Sequence, residues 1–186
     1  MEKIELKDTY GNLVEVFIKR LDISYIDKIM ILQKEVEDNL VDKNFYASTD
    51  KGEYIKYIEN GAHIVGIVTL EDELIAMGVY VKFGYGEHNY GYDLDIKDEE
   101  LLSVGQIEST VVKNEYRGNG LQRILCIKLE EVAKQDNIRT LAATVAPKNS
   151  CSLNNFKKLG YTVEKEKLKY GNYLRYILKK ELEQYD

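Results

Sequence analysis

Glu115-Tyr116-Arg117-Gly118-Asn119-Gly120-Leu121-Gln122-Arg123 lies between a strand-like run, Ser103 to Val112, and a helix-like run, Leu121 to Gln135. Two glycines at the mouth of a helix let the backbone turn tightly and leave the first amide groups facing outward, with no side chains in the way. Those unpaired N–H groups, at the positive end of the helix dipole, favour a phosphate or pyrophosphate. Arg117 and Arg123 add positive charge beside them. No Gly-Lys-Ser/Thr follows and G-x-G-x-x-G is not completed, which disfavours a nucleoside triphosphatase or a nicotinamide enzyme. A glycine pair before a helix is also a common plain turn, so the stretch gains weight from its surroundings.

Downstream, Arg139 to Val145 reads as a strand, Asn149 to Leu159 as a helix and Tyr161 to Lys167 as a strand. Lys169-Tyr170-Gly171-Asn172 then turns the chain into a last strand, Tyr173 to Leu178. Leu121, Ile124, Leu125, Leu129 and Val132 share one helix face. Upstream, Leu13 to Ile18 alternates as a strand, and a helix follows from Asp22 as N-cap to Leu40. A short helix is expected over Lys51 to Asn60, capped by Thr49 or Asp50 and ended by Gly61. Ala62 to Leu70 and Leu74 to Phe83 read as an antiparallel hairpin. Gly84 to Asp95, rich in glycine, tyrosine and polar groups, predicts a surface loop that either shapes a substrate entrance or merely connects.

A second motif, Asn149-Ser150-Cys151-Ser152-Leu153-Asn154-Asn155-Phe156-Lys157-Lys158-Leu159-Gly160-Tyr161, completes a resemblance. The sequence resembles the Gcn5-related N-acetyltransferase superfamily, whose pyrophosphate loop runs Gln/Arg-x-x-Gly-x-Gly/Ala at a helix start. Arg117 matches its first position and Gly120 its fourth, while Gln122 replaces the final small residue. The downstream pattern Asn-x-x-Ala-x-x-x-Tyr-x-x-x-Gly-Phe is met with Ser152 for Ala, Phe156 for Tyr and Tyr161 for Phe. The match is firm over Ser103 to Leu178 and architectural before that.

The resemblance implies an α/β fold of the α+β sandwich kind, one domain over residues 1–186. Its sheet would be mixed, mostly antiparallel and V-shaped, with six to seven strands flanked by about four helices. It also implies acetyl-CoA as cosubstrate. Val111 and Val112 would offer strand backbone to the pantetheine arm, and Arg117, Gly118, Asn119, Gly120, Gln122 and Arg123 would surround the pyrophosphate. Asn149 would reach the pantetheine, with a plain helix N-cap as its other reading, and Asn155 joins the cofactor-binding set.

Amine acetylation needs an uncharged nitrogen, hence a base, and Glu108 is the candidate. Period two would put Gln106, Glu108, Thr110 and Val112 on one face, where partial burial would raise the carboxyl pKa. The alternative is a solvated strand carboxylate. Phe156 has no proton for the departing thiolate, which leaves another tyrosine, such as Tyr161 or Tyr116, or solvent. The expected function is acetyl transfer to a primary amine of a small molecule or exposed peptide. Phe156 keeps open a non-catalytic acyl-CoA-binding or sensing module of the same fold. A globular interaction protein with an incidental glycine turn is the third reading.

Composition narrows the partners. Across 186 residues, 26 Lys and Arg face 32 Asp and Glu, a net −6, which argues against nucleic acid or an anionic membrane. No apolar run approaches the roughly 18 residues of a membrane span. MEKIELKDTYGN lacks a signal-peptide core, so a cytoplasmic protein is expected. Cys126 and Cys151 are too few for a disulfide framework, and His63 and His88 lack ligand spacing, so no metal is expected. Asp93, Asp95, Asp98, Glu99 and Glu100 would either steer a cationic amine or form a hydrated surface. A monomer and a homodimer are both compatible with the sequence.

Overall fold

The computed structural model describes residues 2–183. Strands β1 (Glu2–Lys7), β2 (Leu13–Leu21), β3 (His63–Thr69), β4 (Leu74–Val81), β5 (Val104–Val112), β6 (Thr140–Val145), β7 (Thr162–Lys169) and β8 (Tyr173–Glu181) form one sheet. Helices α1 (Ile26–Asp38), α2 (Lys51–Glu59), α3 (Leu121–Gln135) and α4 (Ser150–Lys158) flank it. The strand order is β1-β2-β3-β4-β5-β6-β8-β7. All neighbours are antiparallel except β5 and β6. A parallel pair needs a crossover, and α3 supplies it.

The expected class holds, with eight strands among the described residues rather than six to seven. The additional strand is β1, an edge strand in which charged Glu2, Lys3, Glu5 and Lys7 surround Ile4 and Leu6. Only Leu6 is fully buried there, so the strand is legible through pairing with β2 and not through an apolar run. Charge on an edge strand also blocks pairing with other chains.

Both faces of the sheet are covered. Leu121, Leu125, Leu129 and Ala133 of α3 pack with Ile67, Ile75, Ile107 and Leu141, and Phe156 of α4 joins them. On the other face Ile29 and Leu32 of α1 and Tyr54 of α2 pack against Ile64, Met77 and Val79. Cys126 is buried with the α3 core. No helix of the described residues is long and apolar enough to cross a membrane.

Two irregularities in β5 create the site. It pairs with β4 as far as Ala76↔Val112, but with β6 only from Val104↔Thr140 to Ile107↔Ala143. Beyond Ile107 the two parallel strands part, so backbone groups of Glu108 to Val112 lose their partners on that side. This is the opening of the V. At the same place the register against β4 shifts from Val79↔Ser109 to Tyr80↔Ile107, leaving Glu108 as the extra residue of a bulge.

The bulge corrects one expectation. Ile107 and Val112, five residues apart, pack into the same core, which strict alternation forbids. Thr110 and Val112 therefore face α3, while Gln106 and Glu108 turn to the α2 side, where Gln106 Oε1 accepts from the Tyr90 N–H at 2.9 Å. The four residues do not share a face.

Candidate active site

The parting of β5 and β6 opens into a cleft of about 840 Å³. Glu108 to Val112 and Thr144 to Ala146 form its walls, α4 one end, and the loop between α1 and α2 a cover. That cover is pinned by the buried Gln33 of α1. Its Nε2 donates to the Thr49 carbonyl at 2.8 Å, and its Oε1 accepts from the Tyr46 and Tyr54 hydroxyls at 2.7 and 3.1 Å. Tyr46, now fixed, places its hydroxyl 3.0 Å from Ser109 Oγ on the cleft wall.

At the α3 end lies the glycine cradle. Gly120, at φ +72°, is the N-cap of α3, and no side chain caps the helix. Gly118 stands at φ +87°. A Cβ on either would meet nothing within 4 Å. Left-handed backbone and free space together mean that only glycine keeps the helix amides bare. Arg117 and Arg123 line the same end, and the Arg117 Nε–H reaches the Val112 carbonyl at 3.4 Å.

Glu108 occupies the cleft about 13 Å from the end of β5, being four residues before Val112 at ~3.3 Å per residue. Burial holds its carboxyl above the ordinary range, while hydrogen bonds from Gln106 and Tyr90 and the charge of Lys169 pull it down, and Glu53 pushes it up. The Gln106 Nε2 donates to it at 2.7 Å. Tyr90 continues the chain to the Tyr170 hydroxyl, which lies 2.9 Å from Thr144 Oγ1 on β6. A line of hydroxyls thus crosses the V from the bulge of β5 to β6.

The sequence profile of the acetyltransferase (GNAT) family matches residues 29–161. The chain belongs to that family. No curated protein matches it by sequence. Among solved structures, a GNAT-family acetyltransferase of Streptococcus pneumoniae superposes with TM-score 0.69 at 15% identity, covering 90% of this chain and 99% of that one. The ribosomal-protein-S18-alanine N-acetyltransferase of Escherichia coli gives 0.68 at 12% identity, with 92% and 96% covered. The yncA protein of Salmonella typhimurium, solved with its cofactor acetyl-CoA, gives 0.68 at 14% identity, with 92% and 96% covered. These likenesses establish the GNAT fold, and the family match makes the chain a GNAT-type acyltransferase.

Within this GNAT cleft the structure gathers Glu108, Val111, Val112, Arg117, Gly118, Gly120, Gln122, Arg123, Asn149 and Asn155. Asn119 is the exception. Its side chain turns away to β1, where Oδ1 accepts from the Lys7 N–H at 3.1 Å and Nδ2 donates to the Lys7 carbonyl at 2.7 Å. Asn119 is therefore a clamp between the GNAT loop and the edge strand. Asn119→Ala is expected to lower stability by about 1 kcal/mol and to spare coenzyme binding, checked by thermal unfolding with and without acetyl-CoA.

Gln122 explains how the GNAT loop tolerates a long residue at its sixth position. Its Nε2 donates to Thr110 Oγ1 at 3.1 Å and Ser152 Oγ at 2.8 Å, and its Oε1 accepts from Asn155 Nδ2 at 2.8 Å. The side chain thus ties β5 to α4 and turns away from the cradle. Asn149 caps α4, accepting from the Ser152 N–H at 3.2 Å.

Neither tyrosine considered as the acid reaches the centre of the V. Tyr161 is buried edge-on against Phe156 at 5.0 Å, with its hydroxyl near Glu130 beneath α3. Tyr116 lines the cradle end. The tyrosine that does reach Glu108 is Tyr90, from the Gly84 to Asp95 loop, and Tyr170 of the β7–β8 turn joins through it. That loop is not a surface connector throughout. Asn89 Nδ2 donates to the Gly84 and Leu101 carbonyls at 2.6 and 3.1 Å, burying Tyr90. Asp93 pairs with Lys167 and Lys169, and Asp95 with Lys165. Those charges fasten the loop to β7 and are not left over for steering.

Proposed function

We propose that the chain is an acetyl-CoA-dependent N-acetyltransferase acting on a primary amine of a small molecule or exposed peptide. The observation that carries this is Glu108, a carboxylate of raised pKa set on the bulge where β5 and β6 part. The cleft suits the cosubstrate: a bare helix start with open space above two glycines fits a pyrophosphate, and the edge of β5 around Val111 and Val112, left open on the side where β6 has parted, fits the amides of a pantetheine arm. Arg117, Arg123, Asn149 and Asn155 complete that set. The acetyltransferase of ribosomal protein S18 alanine shares the fold, which supports an amine acceptor.

Bound acetyl-CoA supplies an activated thioester and a thiol leaving group. The acceptor ammonium loses two protons in becoming an amide. Glu108 takes the first and passes it to solvent, which frees the nitrogen to form the C–N bond as the C–S bond breaks. Glu108 also takes the second, as the new C–N bond makes the nitrogen acidic, and it is balanced by the proton that the leaving sulfur gains, for which Tyr170 is the donor we assign. Its hydroxyl, pushed up to about 12 mainly by burial, stays protonated and is replenished through Tyr90 from Glu108. Since a free thiol has a pKa of about 8.5, this help is modest. Tyr170→Phe should lower kcat about 10-fold and leave the KM for acetyl-CoA unchanged in a steady-state assay.

The deciding experiment is a thermal-shift titration with acetyl-CoA followed by thiol release over an amine panel. Stabilisation with release supports the enzyme. Stabilisation without release from any amine would make the chain an acyl-CoA-binding module instead.

A further inference from the structure

The acceptor end of the cleft holds a cation that the acetyl-transfer chemistry does not use. Arg175 of β8 is 3% exposed and lines the same cleft as Glu108, Thr144 and Tyr170. Its guanidinium lies over two rings, 5.7 Å from the centre of Tyr170 and 5.1 Å from that of Tyr173. Nη1 donates to the Leu174 carbonyl at 2.9 Å. Among the described residues Nη2 is buried with no hydrogen-bond partner, and no carboxylate pairs with Arg175. Burial lowers its pKa, yet an arginine stays charged. A buried cation without a counter-ion is held at a cost that folding alone does not explain.

The surroundings say what would complete it. Glu108 and Glu53 line the same cleft and carry the opposite sign. The phosphate-binding cradle, with Arg117 and Arg123, lies at the far end of β5, so Arg175 is not part of the pyrophosphate site. Tyr170, whose ring covers the guanidinium, adopts φ +53° next to Gly171 at φ +91°. A non-glycine residue in that region is held there against its own preference. The cleft is therefore bipolar at its acceptor end, acidic near the base and cationic beneath the hairpin turn.

We propose that Arg175 receives a carboxylate of the acceptor, so that the substrate is an amine carrying an acid group, of the amino-acid class. This rests on the acetyltransferase reading and names its acceptor. The ammonium goes to Glu108 and Glu53, and the carboxylate accepts from the Nη2 N–H groups that have no other partner. A simple amine fills only the acidic half.

Two measurements separate this inference from the reading beneath it. With coenzyme A bound, N-acetyl amino acids and their methylamides are compared by calorimetry on the wild type, Arg175→Gln and Arg175→Lys. The carboxylates should bind on the order of 100-fold more tightly than the amides. That preference should vanish in Arg175→Gln and return in part in Arg175→Lys, with stabilisation by acetyl-CoA retained in both as the control for folding. In the second measurement, amino acids should be acetylated faster than the amines left by their decarboxylation. No binding of any N-acetyl amino acid, equal binding of acid and amide, or a preference that survives Arg175→Gln overturns the inference. Acetylation of plain amines would meanwhile keep the transferase reading. Carboxylate binding without acetyl transfer to any amine would keep the Arg175 site and remove the transferase reading.

Discussion

Glu108→Gln is expected to lower kcat for amine acetylation by about 10²- to 10⁴-fold while leaving stabilisation by acetyl-CoA intact. Glutamine keeps the shape, and its carbonyl can still accept from Gln106 Nε2, but it cannot take a proton. The carboxylate is the active form, so wild-type activity falls as pH drops through its raised pKa, and the acid limb of the rate profile lies above the ordinary carboxylate range. Stability runs the other way. A group whose folded pKa is raised contributes stability that is fully present below the unfolded pKa and lost as pH rises through the folded one. Ionised Glu108 therefore weakens the fold at neutral pH. The Gln variant should melt above the wild type at pH 7, and the two should converge at pH values below the unfolded carboxylate pKa. A variant that keeps its activity removes Glu108 from the chemistry, and one that melts below the wild type at pH 7 contradicts the burial argument.

What the sequence disclosed, and what it hid, follows from how far each signal reaches. The α3 helix carries its own evidence, since Leu121, Leu125 and Leu129 repeat at helical spacing and all are buried. Asp50 and Asn149 announce the caps they make. The cradle is equally local, because positive φ at Gly118 and Gly120 is a property of glycine itself. The bulge at Glu108 is not local. It arises from pairing with β4, and nothing within Val104 to Val112 marks where alternation breaks. Tyr90, Tyr170 and Arg175 are brought to Glu108 by loop burial and by the return of β8 beside β6, so one of 15 tyrosines could not be chosen from spacing. Asn119 failed for a related reason. Its place in the motif is right, but a strand over a hundred residues earlier claims its side chain.

Gly120→Glu should abolish stabilisation by acetyl-CoA, with affinity falling by on the order of 100-fold or more. Two effects act in the same direction. At φ +72° any side chain strains the backbone, by roughly 1–2 kcal/mol. The new carboxylate also enters the open space above the cradle, where it meets the bare amides of α3 and takes the place of a phosphate oxygen. Strain alone would mimic part of this result by destabilising the fold, so a matched control is required. Gly61, at φ +84° behind α2, has the same backbone requirement and equally open space, but it does not line the cleft. Gly61→Glu should therefore lower the melting temperature comparably and still respond fully to acetyl-CoA. If both variants lose the response, strain is the cause. If Gly120→Glu keeps it, the diphosphate is gripped elsewhere and residues 117–123 are only a turn.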